Sequence, residues 1–175
     1  MDKKITAFFS FALMIGLLII ALKIVNWLPL ILQKDTARRY GSIEEVQRAL
    51  NMKDIYVPSY FPQQIIWPPS AILAQSKPFR AIVMEFTRAD KRNIALIISQ
   101  SEGTALNVEN PIEIVVVTEK VRFTIKGRDA MLTVGSCKND EPCSGITWIE
   151  SKYTMTVLMK SAPFELTKIV DSMIR

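Results

Sequence analysis

FRAIVMEFTRADKRNIALIISQS, residues 79–101, decides the fold of this chain. Two runs rich in Ile, Val and Phe flank the turn signal Ala89-Asp90-Lys91, which reads as two short β-strands joined by a tight connection. The same texture continues in IEIVVVTEKV (112–121), VRFTIKG (121–127), AMLTVGS (130–136), ITWIES (146–151) and YTMTVLMK (153–160), with Glu102-Gly103 and Ser144-Gly145 as further turn signals. Because little more than turns separates most of these runs, neighbouring strands are expected to pair antiparallel.

Beyond the last strand, Pro163 suits a first helical turn, and Leu166, Ile169, Val170, Met173 and Ile174 then fall on one stripe. That predicts a C-terminal helix lying over one face of the sheet. On the other side of the strands, the stretch from Tyr56 to Phe79 holds Pro58, Pro62, Pro68, Pro69 and Pro78, interleaved with Tyr60, Phe61 and Trp67. Proline removes donors and disfavours helix before it, so this stretch should be extended. Earlier still, Gly41-Ser42-Ile43-Glu44-Glu45 opens with a capping box, in which Ser42 accepts from the Glu45 amide and the Glu45 carboxylate reaches back. A short helix to Leu50 should follow. The expected domain, residues 42–175, is therefore α+β: a curved, half-barrel-like antiparallel sheet with a short N-terminal helix and a C-terminal helix packed on it.

Ahead of this domain, Ile5 to Leu22 (ITAFFSFALMIGLLIIAL) is uncharged and apolar. At 1.5 Å rise it would reach ~27 Å, close to the hydrocarbon thickness of a bilayer, with Lys23 and Trp27 suited to the headgroup zone. The residues after Leu22 are bulky where a signal peptidase needs small ones. The expectation is a single transmembrane helix that is retained: residues 1–33 as a membrane anchor with an interfacial extension, and 34–41 as a juxtamembrane linker. Lys3 and Lys4 on one side nearly balance Lys34, Arg38 and Arg39 on the other, so charge does not orient the anchor. Cys137 and Cys143 do. They are separated by the turn-forming insert Lys-Asn-Asp-Glu-Pro and read either as a disulfide or as two reduced thiols in a cytosolic loop. A disulfide persists only in an oxidising compartment. The expected placement is the inner cell membrane, with the N-terminus in the cytoplasm and the C-terminal domain in the periplasm or its equivalent outside.

Composition excludes several functions. The net charge is +5, but residues 1–53 hold 8 Lys and Arg against 4 Asp and Glu, while residues 54–175 hold 14 against 13. The surplus is juxtamembrane and suits lipid headgroups, not nucleic acid. There is no histidine, so histidine-activated nucleophiles and imidazole zinc sites are excluded, and two cysteines cannot complete a structural zinc site. Neither G-x-x-x-x-G-K-[ST] nor G-x-G-x-x-G occurs. No enzyme activity, metal or cofactor is expected.

Three groups of residues could bind something. Arg122, Lys126 and Arg128, at even spacing, form either a solvated basic stripe or a contact for headgroups or a partner's carboxylates. Tyr153, Met155, Val157 and Met159 alternate onto one strand face, which either packs against the terminal helix or lines an apolar ligand surface. Trp67, among its prolines, is either a partner-docking element or a device that blunts a sheet edge.

The order of helix, Val57-Pro58-Ser59-Tyr60-Phe61-Pro62, strands, Ile125-Lys126-Gly127-Arg128, Thr147-Trp148-Ile149-Glu150-Ser151 and the closing Ile169-Val170-Asp171-Ser172-Met173-Ile174 resembles uncharacterised extracytoplasmic domains of anti-sigma-factor-like bacterial membrane proteins. These are similar in outline to half-barrel lipoprotein carriers and periplasmic sensors. The resemblance implies a sensing module, or one that binds an envelope protein or lipid, and implies no catalytic residues. Only four residues precede the apolar run, so a sigma-factor-holding role is not expected unless another subunit supplies it. An accessory or structural subunit of a membrane complex is the alternative expectation; oligomeric state is not legible.

Overall fold

The computed structural model describes residues 13–23, 37–90, 93–103 and 111–174. The chain divides into two compact units, Met1–Thr36 and Ala37–Arg175.

In the first unit the described residues 13–23 are helical (α1). Here the expected transmembrane helix is corrected. Among the described residues no helix is long and apolar enough to cross a membrane. Residues 5–12 of the apolar run, and Trp27, lie outside the described residues.

The second unit runs β1 (Arg38–Tyr40), α2 (Ile43–Leu50), β2 (Ala71–Gln75), β3 (Ala81–Thr87), β4 (Ile94–Ser101), β5 (Ile114–Ile125), β6 (Arg128–Cys137), a 3-10 turn (Lys138–Asp140), β7 (Pro142–Glu150), β8 (Tyr153–Met159) and α3 (Pro163–Met173). The strands form one sheet in the order β1-β2-β3-β4-β8-β7-β6-β5, with every neighbouring pair antiparallel. Two four-stranded meanders thus meet at the β4·β8 seam. The sheet is open, and this corrects the half-barrel expectation: its edges are β1 and β5, and three residues of β1 are too few to pair along the twelve of β5.

Local sequence explains the turns and caps. Ser42 Oγ accepts from the Glu45 amide at 3.2 Å, satisfying one of the orphan donors at the start of α2, and Glu45 Oε2 accepts from the Gly41 amide, just ahead of the cap, at 2.8 Å. The hairpin between β5 and β6 turns through Lys126 (φ 46°) and Gly127 (φ 76°); two successive positive φ values make the tight turn that matches strand twist, and glycine takes one at no steric cost. Arg38–Tyr40, in the stretch read as linker, forms β1 against β2.

Side-chain period fixes the core. One row crosses all eight strands on one face, from Tyr40 through Ile72, Met84, Ile98, Val157, Ile146 and Leu132 to Val121. Its centre is completely buried, with α2 (Val46, Leu50) and α3 (Leu166, Ile169, Val170, Met173) belonging to the same cluster, whereas Val121 at its end is 38% exposed. The opposite face carries a smaller cluster of Val83, Ile97, Ile112, Cys137 and Cys143.

Candidate functional site

The burial that centres on β4 and β8 fades toward β5. This edge strand is twelve residues long and exposed along most of its length. Its pairing with β6 is regular from Glu119 to Ile125 and shifts twice before that, between Ile114 and Val116 and between Val117 and Glu119. Each shift is a bulge that inserts an extra residue and turns side chains out of alternation. Consequently Val115, Val116 and Val117 are 58%, 57% and 53% exposed in succession, which no regular strand with one covered face would allow.

The register assigns the remaining side chains. Glu119, Val121 and Phe123 lie opposite Val134, Leu132 and Ala130, on the face that α3 covers further in. Val117, Lys120, Arg122 and Thr124 lie opposite Gly135, Thr133, Met131 and Asp129, on the other face. Arg122, Phe123, Thr124, Asp129, Ala130 and Met131 line a shallow cleft of about 360 Å³. Gly135 brings the two strands together: a Cβ there would collide with the Val116 carbonyl oxygen.

Of the three basic residues singled out, only Arg122 points to a binding role. Lys126 sits in the turn and donates from Nζ to the carbonyl oxygens of Asp171 (2.8 Å) and Ile174 (3.1 Å), a cation held at the C-terminal end of α3. Arg128 forks onto Glu150, with Nη2 to Oε1 at 3.0 Å and Nε to Oε2 at 3.2 Å. Arg128 lies opposite Ile125 and so faces the α3 side, whereas Arg122 faces the other; the three do not form one stripe. Among the described residues neither Arg122 nor its neighbour Lys120 makes an ion pair.

Tyr153, Met155, Val157 and Met159 do share a face. All four are buried in the cluster that contains the α3 stripe, and Tyr153 meets Tyr56 edge-on at 6.3 Å. Trp67 is 50% exposed and rests on a packed aromatic group: Phe61 at 5.5 Å and Phe86 at 6.1 Å, with Phe86 itself fully buried. The proline-rich segment that carries it is bonded along β3, through Ile66 N–H to the Thr87 carbonyl and Ser70 N–H to the Glu85 carbonyl. It is also tied to α3, since the Tyr60 hydroxyl donates to Glu165 at 2.7 Å; that bond raises the Tyr60 pKa and, together with Lys168, lowers that of Glu165. Trp67 is thus displayed from a fixed platform.

Cys137 and Cys143 form a disulfide, with Cα atoms 5.6 Å apart, across the 3-10 turn between β6 and β7. Both are buried, and Cys137 lies directly opposite Ile114, so the bridge braces the strand next to the exposed end of β5.

Elsewhere Glu102 and Gln100 are absorbed structurally. Glu102 joins Arg80 and Lys152 at 2.8 Å each, which holds its carboxyl below the usual range, the Arg80 hydrogen bond first. Gln100, fully buried, accepts from the Tyr56 amide at 3.0 Å and donates to the Asp54 carbonyl at 2.6 Å. Among the described residues no cluster of three or more Asp, Glu or Cys could hold a metal ion.

The exposed valines and Lys120 are the residues that sequence reasoning passed over. Their signal was present as four successive aliphatic β-branched residues, Ile114 to Val117, in which alternation fails. No family model matches this chain, and neither a curated protein nor a solved structure does.

Proposed function

We propose that this chain is a non-catalytic binding module that works at the extracytoplasmic face of a cell membrane and engages another envelope component through its β5 side. The observation that carries the reading is the run Val115 to Val117. Three adjacent valines, each more than half exposed, are unusual on a domain whose centre is fully packed, and such patches mark interaction sites. The disulfide supports an oxidising compartment. Lipid attachment is supported by the N-terminal segment, where Leu13, Met14, Leu17, Leu18, Ile20 and Leu22 are all exposed apolar side chains that water alone disfavours. A sensing role is what the resemblance to extracytoplasmic domains adds.

Photo-crosslinkers placed at Val116 and at Trp67 of the full chain, in its own membranes, test the reading. Adducts from Val116 are expected, with Trp67 as the comparison position, and none from Val116 would overturn the reading. Thiol labelling of the same membranes should find Cys137 and Cys143 blocked until reductant is added. Free thiols beforehand would overturn the compartment.

A further inference from the structure

An edge strand is an unfinished structure. β5 carries unpaired backbone donors and acceptors along roughly 40 Å, at about 3.3 Å per residue, and nothing described lies beyond it in the sheet. Proteins protect such edges with charges and bulges, and β5 does so unevenly. Glu119, Lys120 and Arg122 put charge on its middle, whereas Ile114 to Val117 at its start are aliphatic.

The charges also say what can pair there. Lys120 and Arg122 lie two residues apart on one face, opposite the uncharged Thr133 and Met131, and neither has an ion-pair partner among the described residues. The acid nearest along that face of β6 is Asp129, opposite Thr124. Glu119 points to the other face. This disfavours a second copy of the chain. A two-fold axis normal to the sheet keeps every side chain on its own face, so in a β5·β5 pair Glu119 never meets the partner's cations, and Lys120 and Arg122 face only each other, threonine or apolar residues. A strand from a different protein has no such constraint.

We infer that β5 is the docking edge for an extended, acidic segment of another protein, which adds a ninth strand to the sheet and sets two carboxylates, two residues apart, against Lys120 and Arg122. The inference rests on the reading of the chain as a binding module. Backbone pairing supplies the mode of attachment, alternate side chains supply the choice of partner, and the exposed valines are covered by the same strand. The cleft beside Arg122 gives room for one side chain of that strand.

The experiment extends the crosslinking above. Adducts from Val116 in the full chain are digested and the partner's attached segment is sequenced. A segment with acidic residues at i and i+2 is expected. Lys120→Glu combined with Arg122→Glu should lower the Val116 adduct at least about tenfold, because like charges now face each other, while the Trp67 crosslinker and the thermal transition are unchanged. Lys120→Gln with Arg122→Gln serves as the milder pair should reversal disturb folding, and should lower the yield by a smaller factor. Adducts with lipid, with a second copy of this chain or with a segment lacking acids overturn the inference, as does an unchanged yield in both charge variants. A Val116 protein adduct to a segment without acids would sink the acidic-strand inference and leave the binding-module reading standing; no adduct from Val116 would sink both.

Discussion

The two edges of this sheet solve the same problem in opposite ways. β1 is three residues long and carries Arg38 and Arg39, and Arg39 also donates to the Ser70 carbonyl at 3.1 Å; it is short, charged and tied down. β5 is four times as long, begins with exposed aliphatics and has its charges only in its middle. A chain that protects one edge so fully has the means to protect the other. The difference teaches that edge protection is uneven, complete at β1 and partial at β5, and it is this contrast that the proposed docking role of β5 would explain.

Mutations can break or sharpen that contrast, beginning with the centre that both edges depend on. Phe86→Ala or Leu166→Ala should cost about 2–5 kcal/mol by emptying fully buried volume, read as a fall in the urea midpoint; a loss below 1 kcal/mol would mean that the sheet is not held by this core. Gly135→Ala comes next. It forces the Val116 carbonyl away and should cost about 1–3 kcal/mol, with faster amide exchange confined to β5 and the adjoining part of β6; exchange spreading equally to β1 would show that the edges are not independent. Reducing the Cys137–Cys143 bridge should cost about 2 kcal/mol in the chain-entropy model, read as a lower thermal midpoint with reductant.

Smaller effects follow from charge. The Glu102 carboxyl is held low by Arg80 and Lys152, so its share of stability is present above the ordinary carboxylate pKa and is lost as pH falls through the lowered folded value. Thermal midpoints measured from pH 7 down to pH 3 should therefore show an acid-side fall that Glu102→Gln reduces, and an unchanged profile would remove Glu102 from the account. The smallest change expected in stability is at β5 itself. Val116→Lys should shift the folding free energy by no more than about 0.5 kcal/mol while making β5 resemble β1 and abolishing the adducts of a crosslinker placed at Val117. A large destabilisation would instead make the exposed valines part of the core.

These contrasts were only partly legible in the sequence. The Ser42–Glu45 cap is visible there because it depends on four adjacent residues, and the structure adds only that the carboxylate returns to Gly41. The alternation of Tyr153, Met155, Val157 and Met159 likewise needs nothing beyond period two, and the short spacing of the cysteines anticipates their bridge. The Arg122, Lys126, Arg128 stripe failed because even spacing keeps one face only within a strand, and the chain reverses between Lys126 and Gly127. The apolar run suggested a span by hydropathy alone, and among the described residues, which include 13–22 of that run, no helix is long and apolar enough to cross a membrane. What alternation cannot report is a strand's place in the sheet. The runs 112–121 and 121–127 read as two ordinary strands, and nothing local marks them as a single edge.

The seam between β4 and β8 also bears on how the chain comes to be folded. Among the described strands every other pair is consecutive in sequence, whereas Leu96 to Ser101 meet Met159 to Thr154 across about fifty residues, a longer loop than the roughly thirty residues between β1 and β2 and the larger closure entropy to overcome. During synthesis β1 to β4 emerge first, so β4 waits as a temporary edge of its own until β8 arrives. Ile97 and Ile98 stand on that edge, which makes the interval before the seam closes the period of greatest exposure to aggregation.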